Sequence, residues 1–430
     1  MAKIAFVSQP RDPVAAAESQ HGSVTTVLWE LATRIARRHE TMVLAPRAPG
    51  QAAEETYGSR VCICRVPAWR SLHKALDLGT SILGWRSPYF ASRACFREYG
   101  LAVARALERY CPDIVHVQNN WQFLPLFRSA VPRAHLIVQV HDELQSLLPA
   151  GPVRARLQGV AAIVTPSEFV TRRYEKRVPY MAGRIHTIGN GVDAAIFQPG
   201  RREPEPRRGA LRILYVGRVS PEKGVHELAA AFRLLLSSGE RFELEIAGPA
   251  GLLPVNQIRL LAKDPHVAAL GRFYGTGLWD ALDNQVLHAR SGYPRFIQSL
   301  VPGSARDRVR FLGQLSRDAL IGVYHRADVL VIPSVCEEPF GLPTAEGMAC
   351  GLPCVGSNAG GIPELIEHET TGLLVERGDT AAMAGALQRL ALDPETRERF
   401  GRLGRERAER LFDWSVPAAR LEALYQRMLL

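Results

Sequence analysis

Short apolar runs alternate with stretches of helical periodicity along the chain. KIAFVS (3–8), TMVLAP (41–46), DIVHVQ (113–118), HLIVQV (135–140) and AAIVTPS (161–167) read as buried strands, and 23–37 and 91–109 read as amphipathic helices between them. Near-continuous apolar strands separated by helices predict a parallel sheet covered on both faces. The pattern breaks at RREPEPRR (201–208), charged and interrupted by two prolines, with the composition of a linker. It resumes with RILYVG (212–217), FELEIAG (242–248), VRFLG (309–313), DVLVIPS (328–334), LPCVGS (352–357) and TGLLVE (371–376). The expected architecture is therefore α/β, with two doubly wound domains in tandem, whose ligands sit beyond the carboxyl ends of the strands. The tail, 380–430, reads as helical, with Pro417 in the first turn of the last helix.

A length of 430 residues with 47% hydrophobic content suits two domains that each bury a core. The first residues, MAKIAFVSQPRDPV, are too short in apolar run for a secretory leader, and no stretch reaches the ~18 apolar residues of a membrane span. The expectation is a cytoplasmic protein, at most peripheral at the inner membrane face. Seven cysteines in a chain this long do not suggest a disulfide framework, and none pairs at zinc-site spacing. Cys62 and Cys64 alternate with Val61 and Ile63, as in a strand. The net charge of +10 is unevenly spread: residues 1–200 hold 24 Lys and Arg against 15 Asp and Glu, and residues 201–430 hold 29 against 28. A basic first half fits an anionic or lipid-linked acceptor or an acidic membrane surface, and equally a solvated arginine-rich surface. No nucleic-acid-binding signature accompanies the charge.

Two segments carry candidate chemistry. In VIPSVCEEPFGLPTAEGMACGLPCVGSNAGGIPELI (331–366), Glu338 and Glu346 lie eight residues apart, one at a loop tip and one within the following helix. Gly341 allows close backbone approach, and the helix start offers free N–H groups suited to a diphosphate. In VGRVSPEKGVHELAAAF (216–232), Arg218 and Lys223 follow a strand end and can hold two phosphates through charge-assisted bonds of about 1.5–3 kcal/mol each.

These blocks, with NGVD (190–193) and the later AGG-PE, resemble the retaining family-4 glycosyltransferases of the GT-B fold, the bacterial group-1 glycosyltransferases, over nearly the whole chain. The resemblance implies an acceptor-binding domain at 1–200, a nucleotide-sugar donor domain at 201–412, and a helix at 413–430 that packs back on the first domain, with the cleft between the domains as active site. It implies catalytic roles for Glu338, His141, Arg218 and Lys223. Arg218 and Lys223 would bind the donor diphosphate and Glu346 the ribose hydroxyls. Glu338 and the backbone at Phe340, Gly341 and Leu342 would hold the transferred sugar, and His141 of VQVHDE would touch that sugar. The implied activity is hexosyl transfer (EC 2.4) from a nucleotide diphosphate sugar, UDP-linked by preference with GDP and ADP open, to an unknown hydroxyl acceptor, with neither cofactor nor metal. Fixed cations would stabilise the departing diphosphate.

Relatives often carry Gly-Gly in the first loop, whereas this chain reads SQHGSVTT with Gly22 alone. Residues 249–308 are longer than the usual link; the plain reading is a surface insertion and the alternative a lid or partner site. His116, Asn119 and Trp121 could line an acceptor site or simply pack, as could His21. Cys336 and Cys350 read as small buried residues. A nucleotide-sugar epimerase and a non-catalytic sugar-nucleotide-binding protein are the competing functions. The intact motifs argue against both.

Overall fold

A computed structural model describes residues 1–15, 22–58, 60–69, 94–200, 210–239, 241–274 and 292–430, together with 72–73, 75–76, 79, 89 and 92. The expected linker at 201–208 and His21 lie outside the described residues. The chain forms two compact units, the first made of Met1–Gly191 and Trp414–Leu430, the second of Val192–Asp413. The boundary thus falls before the expected 200/201 position.

The first unit holds an eight-stranded sheet in the order β3-β4-β2-β1-β5-β6-β7-β8. Its strands are β1 (Lys3–Val7), β2 (Glu40–Pro46), β3 (Glu54–Tyr57), β4 (Val61–Val66), β5 (Ile114–Gln118), β6 (His135–Gln139), β7 (Ala162–Thr165) and β8 (Ile185–Thr187). Every pairing is parallel except β3 with β4. Ile4 to Val7 and Ala162 to Val164 are 0% exposed, as expected for strands covered on both faces. β3 escapes the apolar pattern because all four of its residues are exposed on an antiparallel edge.

The last helix, Ser415–Leu429, belongs to this unit. His39, at the foot of β2, takes the Ala2 N–H on Nδ1 and bonds the Glu422 carboxylate through Nε2 at 2.9 Å. His116 of β5 bonds Tyr425 and stacks on Phe6. Burial lowers the His116 pKa to about 3, so its imidazole is neutral. Of the two readings of His116, packing is the one the structure shows.

The second unit holds β9 (Ala210–Val216), β10 (Arg241–Ala247), β11 (Val309–Gly313), β12 (Val329–Ile332), β13 (Cys354–Ser357) and β14 (Gly372–Val375). They form an all-parallel sheet in the order β11-β10-β9-β12-β13-β14. The reversal of order lies between β9 and β12: the chain leaves β9 toward β10 on one side and β12 toward β13 on the other, which opens a crevice beyond their carboxyl ends. That is where a doubly wound sheet binds its ligand. Helices cross over between the strands, Val225–Leu235 after β9 and Leu342–Ala349 after β12, while the β10–β11 connection holds several short helices. Among the described residues no helix is long and apolar enough to cross a membrane. All seven cysteines are free thiols.

Candidate active site

The loop after β9 closes in a single 3-10 turn, Pro221–Lys223, before the helix Val225–Leu235. Gly224 joins the two with φ of 70°, and a Cβ there would lie 1.8 Å from the Pro333 carbonyl oxygen. Only glycine fits, and its absence of side chain lets this loop lie backbone to backbone with the loop after β12. The two loops are also stitched together: the Glu222 carbonyl accepts the Val335 and Cys336 N–H groups at 3.0 and 3.1 Å.

This contact brings Lys223 to Glu338. The Lys223 ammonium pairs with Glu338 Oε1, which also accepts the Ser334 hydroxyl at 2.7 Å. Burial alone would raise the Glu338 carboxyl, but Lys223, Ser334 and the charge of Arg218 hold it below the usual range. Burial works against the Lys223 charge as well, and Glu338 outweighs it, raising the lysine pKa. Glu338 is in turn backed by the glycine pair of AGG: Gly361 N–H donates to the Glu338 carbonyl at 2.6 Å, and a Cβ on Gly360 would stand 2.1 Å from that oxygen.

Arg218 is paired too. Its Nη2 donates to Glu222 Oε1 at 2.5 Å and its Nε to Ser220 Oγ at 3.3 Å. The guanidinium stays about one-third exposed while Glu222 is 1% exposed. Sequence reasoning presented Arg218 and Lys223 as two cations in a turn. The structure places each on its own carboxylate, which fixes it before any ligand arrives.

Glu346 sits on the helix Leu342–Ala349, where Tyr324 of the helix Arg317–Arg326 donates to its Oε2 at 2.7 Å. Burial pushes the Glu346 carboxyl above its ordinary value, against the Tyr324 bond and the Arg317 charge. Gly341 precedes that helix in the left-handed region, φ 98°. Phe340 turns its ring into the core, edge-on to Phe412 at 5.9 Å, so only its backbone is available to a ligand. Leu342 is half-buried at the helix start. Cys336 is a buried thiol whose pKa burial drives up, not a nucleophile.

In the first unit, His141 follows β6. Its N–H donates to Asn119 Oδ1 at 2.9 Å, and its Nε2 lies 2.5 Å from Gln118 Oε1. Gln118 Nε2 donates to Gln139 Oε1, so Gln118 offers His141 an acceptor and His141 Nε2 carries the proton, leaving Nδ1 as an acceptor. Burial lowers the His141 pKa to about 3, so it acts as a neutral imidazole. Asn119 orients the turn, bonding Asp142 as well, and Trp121 is fully buried. Gly22 starts the helix Ser23–Ile35 with φ of 109°. Among the described residues no group of three or more His, Cys, Asp or Glu could hold a metal ion.

Glu222, Ser334 and Tyr324 are the members that sequence reasoning missed. Glu222 adjoins Lys223 in PEKG, and Ser334 ends the strand motif, so both had a local signal. Tyr324 had none, because its partner lies 22 residues on, across a strand.

The family model described as Glycosyltransferase Family 4 matches residues 24–196, and that for Glycosyl transferases group 1 matches residues 304–407. These spans contain His141, Glu338 and Glu346. The glycogen synthase of Mycobacterium tuberculosis (strain ATCC 25618 / H37Rv) is 32% identical over 426 residues, 94% of this chain and 91% of that protein. Among solved structures, sucrose-phosphate synthase from Thermosynechococcus elongatus superposes with a TM-score of 0.72 at 22% identity, covering 100% of this chain and 99% of that one. Anabaena HepE, solved in complex with UDP-glucose, gives a TM-score of 0.63 at 18% identity, covering 99% and 100%. Full-length relatedness to the synthase, two family models in chain order and the shared two-sheet architecture converge: this chain belongs to the group-1, family-4 glycosyltransferases and has the GT-B fold.

Proposed function

We propose that this glycosyltransferase takes its sugar from a nucleoside diphosphate donor, UDP-linked by preference, retains the anomeric configuration and needs no metal. The observation that supports this most is the pairing of Arg218 and Lys223 with Glu222 and Glu338 at the strand-order reversal of the second sheet. Each cation is held in place by one carboxylate and keeps further N–H groups for a ligand. As the bond to the sugar breaks, negative charge grows on the leaving phosphate oxygen. Cations already fixed there stabilise that state without reorganising. Lys223, held on Glu338, offers its remaining N–H groups to phosphate, and Glu338, kept ionised, accepts hydroxyls of the sugar. Glu346, oriented by Tyr324, accepts the ribose diol. Retention follows if the departing phosphate oxygen takes the acceptor proton on the face it leaves. His141 is assigned a neutral polar contact to the sugar.

Thermal-shift screening of the full chain against UDP, GDP, ADP and TDP tests the donor class, since a ligand of the folded state raises its melting point. A shift by one diphosphate, persisting in EDTA, supports the reading. No shift by any of the four would refute it. Transfer that stops in EDTA and returns with Mg²⁺ would remove the metal-free part alone.

A further inference from the structure

The segment between β10 and β11 has the sequence look of an accessory insertion, yet its described parts lean on both donor loops. Ile258, Val267, Leu270 and Tyr274 form a small apolar cluster whose remaining members, Val335 and Cys336, belong to the loop after β12. Asp264 holds Arg377 at 2.6 Å, and Arg377 donates to the Val335 carbonyl at 3.2 Å and pairs with Glu337 at 3.4 Å. Tyr293 bonds His226, on the helix after Lys223, at 2.7 Å.

The most consequential contact is at Glu222. Tyr274 donates its hydroxyl to Glu222 Oε2 at 2.5 Å, while Oε1 takes Arg218 Nη2 and Ser220 Oγ. Burial and the Glu222 charge drive the Tyr274 pKa far up, so the hydroxyl is a permanent donor. A carboxylate facing an arginine prefers the fork geometry, two parallel N–H···O bonds. Here the second oxygen is already taken. Arg218 therefore spends one amino group on Glu222 and its Nε on Ser220, and keeps its other amino group, Nη1, for another anion.

We infer that Tyr274 is a positioning residue: by occupying Glu222 Oε2 it limits Glu222 to a single bond with Arg218 and aims the guanidinium at the donor diphosphate. This rests on the donor-site reading above, and it makes the described part of the insertion that carries Tyr274 a working part of that site. Loss of the hydroxyl lets Glu222 engage Arg218 through both oxygens and withdraws a donor from the phosphates.

The test is calorimetric titration of the full chain and of Tyr274→Phe with UDP, GDP and ADP, each beside its nucleoside. For the diphosphate that the unaltered chain binds best, Tyr274→Phe should weaken binding about tenfold, the scale of one charge-assisted hydrogen bond. The matching nucleoside, which lacks phosphates, should bind unchanged. In an Arg218→Ala background the Tyr274→Phe change should add nothing. Tyr293→Phe is the control for general loosening, because it removes an insertion hydroxyl that does not touch Glu222; it should leave the diphosphate affinity intact. Equal weakening by Tyr293→Phe, equal loss for nucleoside and diphosphate, or no loss with Tyr274→Phe would each overturn the inference. If the unaltered chain binds no diphosphate better than its nucleoside, the donor-site reading itself fails, a result distinct from the others.

Discussion

Lys223 and Glu338 form a largely buried ion pair, and the proposed donor reading gives both a part in function as well. On the proposed donor reading Lys223→Ala removes a phosphate contact, and it also strands a buried carboxylate. Donor affinity and turnover are expected to fall at least tenfold, since ~1.4 kcal/mol is one decade. The melting point should fall too, by an amount corresponding to about 1–3 kcal/mol for an unpaired buried group. Adding Glu338→Gln should restore part of the melting point and none of the activity. Thermal melts and steady-state rates on the three proteins separate these effects. His116 gives a second test at this scale. Its native pKa is lowered to about 3 by burial, while the unfolded chain has the ordinary value near 6.5. The neutral native imidazole contributes fully above pH 6.5. Below that the unfolded chain takes up the proton first, and stability is lost toward pH 3 at up to about 1.4 kcal/mol per pH unit. Urea unfolding at pH 7 and pH 5 should therefore show a steeper loss than in His116→Gln. The candidates Arg218, Lys223 and Glu338 were legible because each sits in a short motif just past a strand end, and Glu346 because it lies eight residues after Glu338. Glu222's pairing was not, since spacing shows where a carboxylate is and not which cation it faces.

Among the elements, the buried parallel strands were readable because two covered faces demand unbroken apolar runs. β8 was too short to register, and β3 too polar. The helix boundaries moved inward where the sequence offered no stop: the expected 91–109 helix starts at Arg97, after Phe96 and its left-handed backbone. The junction of the two donor loops depends on a missing Cβ. Gly224→Ala must push against the Pro333 carbonyl and hold a left-handed φ, so it should destabilise the second unit and abolish diphosphate-induced melting shifts. A variant that still shows the normal shift would contradict the close loop contact. Tyr324 anchors Glu346 from a different helix. Tyr324→Phe should reduce affinity for a ribonucleoside diphosphate several-fold, in line with one lost hydrogen bond to a charged group. It should not change affinity for the 2′,3′-dideoxy analogue. Paired titrations read the difference directly.

At the scale of the molecule, the tandem arrangement was visible in the restart of alternation after residue 208, and the return of the last helix was expected from the family resemblance, but the boundary at Gly191 was not legible. The first unit ends at Gly191 and recovers its last helix from the far end of the chain, through partners such as His39 with Glu422 that no local pattern links. Truncation after Asp413 removes that helix and leaves apolar and polar groups of the first unit uncovered. Limited proteolysis of the truncated chain should degrade residues 1–191 faster than in the full chain while 192–413 resists. Equal resistance of both halves would show that the helix is dispensable.

The interrupted first unit also bears on how the protein is made. Val192 N–H donates to the Phe412 carbonyl at 2.7 Å, so the outgoing and returning segments run side by side at the second unit. A ribosome delivers residues in order, so residues 415–430 leave its exit tunnel only after residues 192–413 have done so. The second unit is contiguous and complete before them. The first of the two units to be started is thus the later to be finished, waiting for all of the second to be made before its helix can dock.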